Sequence, residues 1–252
     1  MITLMLLGCA SDGVFRIDGG EYQVVFPDNS SNVSAALLML HGHQGAPAAF
    51  VESAETVSAI TQRNVLLVAP AGEGGNWSAP HSPQEDGRDD LAFLDDVLAD
   101  VQQRWAPPVV WIGGSSQGAA MAESHTALRG GQVQGVVALS GGFWSPVPKT
   151  CPSQVPPITH SHGTQDTTWP LDGRTLYGAY TQAPIAEDIA FWRTCAQCSD
   201  ERTEQVDGPL TCTVWSTCER GGPVRFCVHD GGHGRQSGWA ERQLDWLMSL
   251  GG

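Results

Sequence analysis

Basic residues are scarce in this sequence. Its 252 residues include 13 lysines and arginines, of which only Lys149 is a lysine, against 27 aspartates and glutamates. The formal net charge is −14 at pH 7. Proteins bind nucleic acids and anionic membranes through basic patches. The composition therefore argues against both as partners, and we expect no nucleic acid to bind.

Internal repeats and low-complexity tracts are also lacking, and the only candidate domain boundary is at residues 143–157. A chain of 252 residues fits one large α/β domain. The hydrophobic share of 41% is enough for a sizeable core. We therefore predict a single domain over residues 10–252, and we expect it to be a monomer.

The first nine residues are mostly apolar and end in a cysteine. Met5-Leu6-Leu7-Gly8-Cys9 resembles a bacterial lipobox, in which the cysteine is lipidated and becomes the mature N-terminus. No lysine or arginine precedes Cys9, and the apolar stretch is short. We interpret residues 1–9 as a lipoprotein signal peptide with a truncated start; an apolar strand with a buried cysteine is the alternative. The prediction is a bacterial protein that is secreted or held at the outer membrane by a lipid on Cys9, its only membrane contact.

Without Cys9, the number of cysteines is even. An even set in an exported protein suggests disulfides, and the sequence leaves their pairing open. Cys195 and Cys198 could instead be half of a zinc site or a redox pair. Zinc would need a second close pair, which Cys212 and Cys218 are too far apart to supply, and a redox pair normally opens a helix. We predict three disulfides among Cys151, Cys195, Cys198, Cys212, Cys218 and Cys227.

Strand-like and helix-like segments alternate along the chain. Continuous apolar runs at residues 35–40 and 65–69 are typical of buried parallel strands, and residues 89–105 and 238–250 have the spacing of amphipathic helices. Further strands are predicted at 21–26, 109–113, 133–139, 158–162, 211–216 and 224–228, and further helices at 47–62 and 184–194. This alternation predicts a mostly parallel central sheet with helices on both faces.

Loops rich in glycine and polar residues follow the predicted strands, after residues 40, 69, 113, 139, 162 and 228. In open α/β sheets, ligands bind beyond the carboxyl ends of the strands. The loop at residues 70–88 is long for a compact domain, and such loops are often functional. We therefore expect these loops to surround one site.

The segment Gly114-x-Ser116-x-Gly118 lies between a predicted strand and a predicted helix. In that setting the pattern predicts a nucleophile elbow, a turn so tight that glycine is needed two residues before and after the serine. The helix directs backbone N–H groups at the site. Ser115 does not fit the pattern, because Gln117 stands where its second glycine would be. We predict Ser116 as the nucleophile; a glycine-rich turn with an idle serine is the alternative.

A serine nucleophile needs a base and an acid that orients the base. In α/β-hydrolases the chain order is serine, acid, histidine. Asp166 follows the strand at 158–162, and His233 lies in a glycine-rich loop before the last helix. We therefore predict an α/β-hydrolase fold with Ser116, Asp166 and His233 as the catalytic triad. Asp172 and His229 are the rival acid and base.

An oxyanion hole would complete this site. One backbone N–H should come from Gln117, the residue after the nucleophile, and the second from the loop after residue 40. Within that loop we choose His43, because His41 is better placed for a structural role in the turn. We expect His160 and His162 to be core or supporting residues.

These motifs resemble the secreted esterase group that includes feruloyl esterases, acetylxylan esterases and polyhydroxybutyrate depolymerases. The resemblance rests on Leu40-His41-Gly42-x-x-Gly45, Gly114-x-Ser116-Gln117-Gly118, His162-Gly163-Thr164-x-Asp166 and Gly231-Gly232-His233. It implies the triad and oxyanion donors already assigned, an ester substrate that is a polysaccharide or polyester, and hydrolysis through an acyl-enzyme without metal or cofactor. The loop after the histidine departs from the group, with Gly234-Arg235-Gln236 in place of the frequent Trp-Pro pair.

Three tryptophans lie in loops that follow strands. Trp77, Trp144 and Trp169 could stack on a substrate, or they could cap the core. Two rival functions also stay open at this point. One is a peptidase of the prolyl-oligopeptidase type, and the other is a non-catalytic surface lipoprotein that binds a polymer.

Overall fold

The structure is a computed structural model that describes residues 13–29 and 32–251. The predicted signal peptide and Cys9 lie outside the described residues. Among the helices within these ranges, none is both long enough and apolar enough to cross a membrane.

Ten strands form one large sheet, and two more form a separate hairpin. The strands are β1 (Gly13–Ile17), β2 (Gly20–Val25), β3 (Ala35–Leu40), β4 (Val65–Pro70), β5 (Val110–Ser115), β6 (Val136–Leu139), β7 (Ile158–Gly163), β8 (Arg174–Leu176), β9 (Tyr180–Gln182), β10 (Thr203–Asp207), β11 (Leu210–Trp215) and β12 (Val224–His229). The order in the large sheet is β1-β2-β4-β3-β5-β6-β7-β12-β11-β10, and β8 pairs with β9.

The six central strands of the large sheet are parallel, as predicted. They run from β4 to β12, and antiparallel strands are added at both edges. The carboxyl ends of β3, β5, β6, β7 and β12 therefore lie along one edge of the sheet. The loops that carry the predicted site residues all start there.

Helices cover both faces of the sheet. They are α1 (Ala48–Val51), α2 (Ala54–Thr61), α3 (Asp90–Trp105), α4 (Gln117–Arg129), α5 (Ile185–Ala196) and α6 (Trp239–Ser249). Alternate side chains of β3 enter different cores: Leu38 and Leu40 pack with α3, α4 and α5, whereas Leu37 and Met39 pack with α1, α2 and α6. This alternation buries a wholly apolar strand on both sides.

The acidic helix α3 is a surface helix with a solvated face, as its sequence pattern indicates. Its N-terminus is capped by the Asp89 side chain, which accepts from the Ala92 N–H, and it ends at Ala106 in a left-handed conformation. Phe93, Leu94 and Val97 are buried. The Tyr22 hydroxyl donates to Asp100 at 2.5 Å and fixes the helix to the sheet.

Three disulfides are present, and their pairing is now defined. Cys151 pairs with Cys195, Cys198 with Cys218, and Cys212 with Cys227. The last bond joins directly opposed residues of β11 and β12. The prediction of three disulfides among these six cysteines is confirmed.

The structure differs from the predicted elements at a few places. The helix predicted over residues 47–62 is two helices, because Ser53 adopts an extended conformation and caps α2 by accepting from the Thr56 N–H. Strands β1, β8, β9 and β10 were not predicted.

Candidate active site

Ser116 occupies a sharp turn between β5 and α4. Its φ is 58° and its ψ is −123°, a conformation that costs a residue with a side chain about 1–3 kcal/mol. The turn is held by the Ser116 N–H, which donates to the Leu139 carbonyl at 2.8 Å, and by the Ser116 carbonyl, which accepts from the Ala119 N–H.

Both glycines of the elbow are required by close backbone approach. A Cβ at Gly114 would overlap the Gly118 carbonyl group, and a Cβ at Gly118 would overlap the Leu40 carbonyl oxygen at the end of β3. Real carbon atoms do not pack so closely, so the turn excludes every residue except glycine at these positions. The steric reason inferred from the pattern is therefore present in the structure.

Asp166 lies in the loop after β7 and is buried. Its Oδ1 accepts from the backbone N–H groups of Thr168 and Trp169, each at 2.8 Å. Its Oδ2 lies 2.7 Å from Nδ1 of His233. The loop that carries His233 lies directly against the end of β7. The contact is so close that a Cβ at Gly163 would overlap the carbonyl oxygens of Gly231 and Gly232.

The alternative acid, Asp172, and the alternative base, His229, are not paired with each other in this way. Asp172 is exposed on the surface. His229 is buried at the end of β12, and in the described part of the chain its Nδ1 has no hydrogen-bond partner. The structure thus brings Asp166 to His233, the pair chosen from the sequence.

The predicted nucleophile, Ser116, is not hydrogen-bonded to the predicted base, His233, in the described part of the chain. Within the described residues, no hydrogen bond joins the Ser116 hydroxyl to His233, whose side chain is 23% exposed. Hydrogen bonds between catalytic groups are often long without substrate and tighten when it binds. The roles of the three residues remain a prediction that this geometry supports.

Two backbone donors face the same region. In the described chain, neither the His43 N–H nor the Gln117 N–H donates to a protein acceptor, and both residues line a cavity together with Ser116. His41 has the structural role expected of it. Its Nε2 accepts from the Gly72 N–H at 3.0 Å, so its Nδ1 carries the proton and donates to the Gly42 carbonyl at 2.9 Å. Burial lowers the pKa of His41, which keeps this ring neutral.

The cavity over Ser116 has a volume of about 180 Å³. Trp144 and Trp169 form part of its wall and pack edge to face at 5.2 Å between ring centroids. The β8–β9 hairpin adds Arg174, Leu176 and Tyr177 to the wall. Sequence reasoning missed this hairpin, because strands of three residues are too short to show alternation.

The structure corrects the assignment of Trp77 as a candidate substrate-binding residue. Its side chain is 0% exposed and its indole N–H donates to the His41 carbonyl at 2.9 Å, so it cannot stack on a substrate. It caps the core, the other role considered for it. Trp144 and Trp169 line the cavity but are also almost fully buried, so each exposes little surface to a ligand there.

The side chain of Gln117 has a role that sequence reasoning missed. Its amide binds both polar backbone atoms of Trp77, accepting from the N–H at 3.3 Å and donating to the carbonyl at 3.2 Å. It also donates to Gln84 Oε1 at 2.8 Å. The residue after the nucleophile thus fastens the long loop 70–88 over the site.

Metal ligands were not predicted here. Within residues 13–29 and 32–251, no group of three or more histidine, cysteine, aspartate or glutamate side chains is arranged to hold a metal ion.

Comparisons with known proteins agree with this architecture. A family model described as phospholipase/carboxylesterase matches residues 95–189, a stretch that includes Ser116 and Asp166. A search of curated proteins by sequence returned no match.

Solved structures resemble the fold over nearly its whole length. An acetyl xylan esterase from Aspergillus awamori is 14% identical, with a TM-score of 0.67, and the match covers 95% of this chain and 99% of that one. A phospholipase/carboxylesterase from Dyadobacter fermentans is 16% identical, with a TM-score of 0.63 and coverage of 94% and 100%. A carboxylesterase from Bacillus cereus is 14% identical, with a TM-score of 0.63 and coverage of 92% and 95%. The predicted α/β-hydrolase fold is thereby confirmed.

Proposed function

We propose that the protein is a serine esterase that hydrolyses carboxylic esters through an acyl-enzyme. The observation that carries the proposal is the 2.7 Å hydrogen bond between Asp166 and His233, which lie at the same sheet edge as the strained Ser116 elbow. The match of residues 95–189 to the phospholipase/carboxylesterase model supports the same reaction class.

In the first half of the reaction, the Ser116 hydroxyl attacks the ester carbonyl. His233 takes the hydroxyl proton at Nε2. Its Nδ1–H remains hydrogen-bonded to Asp166 Oδ2, and the carboxylate stabilises the imidazolium. The N–H groups of Gln117 and His43 bind the oxyanion that forms. Collapse of the intermediate breaks the bond to the alcohol, which leaves with the proton from His233.

In the second half, a water molecule attacks the acyl group on Ser116. His233 accepts a proton from the water and returns it to the Ser116 oxygen, which frees the acid. The hydrogen bonds from Thr168 and Trp169 to Asp166 Oδ1 keep the carboxylate in place through both halves.

The proposed substrates are esters of plant polysaccharides, of the feruloyl or acetylxylan type. A cavity of about 180 Å³ lined by Trp144 and Trp169 supports a small acyl group, and the exposed Tyr177 of the β8–β9 hairpin, which also lines it, is a surface on which a polymeric alcohol could lie. The structural likeness to an acetyl xylan esterase supports this class. Product analysis on acetylxylan, feruloylated xylan and polyhydroxybutyrate tests it; release of hydroxybutyrate alone would assign a polyester depolymerase instead.

The reaction is tested by Ser116→Ala. We expect the wild type to hydrolyse p-nitrophenyl acetate and the variant to lose roughly 10³-fold or more of kcat, because the covalent route is closed. Ser115→Ala is the matched control, since it removes the neighbouring hydroxyl at the end of β5 and should retain turnover. Equal rates for wild type and Ser116→Ala would refute the triad. No turnover by either would favour a polymer-binding protein.

We further propose that the protein is exported and lipidated on Cys9. The three disulfides support an oxidising compartment. Mass spectrometry of the mature N-terminus from native cells checks it, and an unmodified Met1 would contradict it.

A further inference from the structure

A line of buried polar side chains extends from Asp166 into the core. Nε2 of His162 lies 3.3 Å from Asp166 Oδ2 and 2.7 Å from the Trp169 carbonyl oxygen. Nδ1 of the same ring lies 3.0 Å from Nε2 of His160. On its far side, Nδ1 of His160 lies 3.7 Å from Oε1 of Glu123. All three side chains are fully buried, and the proposed reaction steps use none of them.

The hydrogen bonds fix the tautomer of each ring. The Trp169 carbonyl can only accept, so Nε2 of His162 carries a proton. Burial and the neighbouring His160 lower the pKa of His162 to about 4, so at pH 7 the ring is neutral and its Nδ1 accepts. His160 must then donate from Nε2, and its own Nδ1 is an acceptor that faces Glu123.

At the far end of the line, two buried groups lie close together without a hydrogen bond between them. Burial raises the pKa of Glu123 to about 8 and lowers that of His160 to about 3. In the described chain, Nδ1 of His160 and both carboxylate oxygens of Glu123 have no hydrogen-bond partner, and the 3.7 Å between the two residues is too long for one. Asp188, on α5, is the other acid at this end; burial and the nearby Glu123 raise its pKa, and its Oδ2 accepts from the Phe143 N–H at 2.9 Å.

The N–H of each ring therefore points along the line towards the loop of Asp166: His160 donates to His162, and His162 donates to the Trp169 carbonyl. The carboxylate of Asp166 accepts three N–H groups, from Thr168 and Trp169 on Oδ1 and from His233 on Oδ2. Nε2 of His162 also lies 3.3 Å from Oδ2, but its one N–H is bonded to the Trp169 carbonyl. Without His162, that carbonyl would lose its donor, and the turn whose N–H groups hold Oδ1 would be less firmly fixed.

We propose that His162 is a positioning residue of the triad, whose Nε2–H holds the Trp169 carbonyl and with it the backbone turn that directs Asp166 Oδ2 at His233. The catalytic meaning of this role rests on the proposed esterase function. The role itself is a property of the Asp166–His233 hydrogen bond and can be measured without turnover.

The test removes the His162 donor and then restores it. His162→Phe keeps a ring next to His160 but has no N–H, and His162→Leu removes the donor with a smaller side chain. His162→Gln restores a donor, because its Nε2 reaches about as far as that of histidine. His125→Leu is the matched control, since His125 is an equally buried histidine with a carboxylate partner, Asp95, that lies outside this line.

Two readouts distinguish positioning from stability. We expect His162→Phe and His162→Leu to lower kcat on p-nitrophenyl acetate by roughly 10- to 100-fold with little change in KM, because the base is misdirected in the transition state. The low-field proton resonance of the His233 Nδ1–H should weaken or move upfield in both. His162→Gln should recover most of kcat and the resonance. His125→Leu should lower the melting temperature but leave kcat and the resonance unchanged.

Three outcomes would overturn the proposal: an unchanged resonance in a folded donor-less variant, a His162→Gln variant no better than His162→Phe, or an equal loss of kcat in His125→Leu. If the wild type hydrolyses no ester, the esterase function fails, and the resonance in the same variants still decides the role of His162.

Discussion

Glu123 is an acid that the fold keeps buried in its neutral form. The unfolded chain releases this proton near pH 4.5, whereas burial raises the pKa in the folded protein to about 8. The stabilising effect of the neutral acid is therefore complete below about pH 4.5 and is lost as the pH rises towards and through about 8.

Glu123→Gln should remove this pH dependence. An amide stays neutral at every pH, so the variant should gain stability over wild type as the pH rises from 5 to 8. We expect a gain of at least about 1 kcal/mol at pH 8, since one pKa unit corresponds to roughly 1.4 kcal/mol. Urea unfolding at pH 5, 7 and 9 measures it. Glu187→Gln, at an exposed position of α5, is the control and should show no such trend; a constant difference across pH would contradict the neutral state.

Histidines 160 and 162 show what sequence reasoning can reach at single residues. Their burial was expected from the strand they lie in. The approach of Glu123 to His160 was not, because Glu123 lies on α4, and only tertiary packing brings it near β7. Nothing in the local pattern marks Glu123, which stands between Ala122 and Ser124 on a helix that is buried along most of its length.

At the scale of elements, Gln117 joins a helix to a loop. Its side chain satisfies both polar backbone atoms of the buried Trp77 and holds Gln84, which lines the cavity. Its backbone N–H serves the proposed oxyanion hole independently. Substitution of the side chain therefore separates the two roles.

Gln117→Ala should loosen the loop 70–88 without removing the oxyanion donor. Two buried backbone groups of Trp77 lose their partners, at a cost of about 1–3 kcal/mol each. We expect lower stability and a raised KM, with a fall in kcat much smaller than in Ser116→Ala. Gln84→Ala breaks only one of the three hydrogen bonds and should have a smaller effect. Chemical unfolding and steady-state kinetics check both variants. A loss of kcat equal to that of Ser116→Ala, at unchanged KM, would contradict the loop role.

The elements that could be predicted from the sequence are those whose burial produces a clear hydrophobic pattern. Strands β3 and β4 are buried throughout, so their apolar runs are unbroken. Strand β10 is mostly exposed and polar, and the β8–β9 strands have three residues each, so none has a pattern to detect. The elbow and the loops that carry Asp166 and His233 were predictable because tight turns need glycine. The cavity wall was not, because it depends on how loops pack.

At the scale of the whole molecule, the disulfide bonds are unevenly distributed. All three disulfides lie between residues 151 and 227, where they tie α5 and the antiparallel strands β11 and β12. No disulfide in the described residues joins the strands from β2 to β6, which are held by backbone pairing and by the two apolar cores. Stability should therefore depend on redox state in one part of the molecule only.

Reduction should loosen this C-terminal part and leave the central strands intact. Each disulfide contributes typically about 2–4 kcal/mol. We expect Cys151–Cys195 to be reduced first, because Cys151 is exposed, and Cys212–Cys227 last, because both of its cysteines are fully buried. Hydrogen exchange with and without dithiothreitol should show faster exchange in α5 and β10–β12 and unchanged protection in β3–β5. The sample without reductant is the control for each peptide. A uniform rise in exchange that includes β3–β5 would show instead that the disulfides support the fold as one cooperative unit.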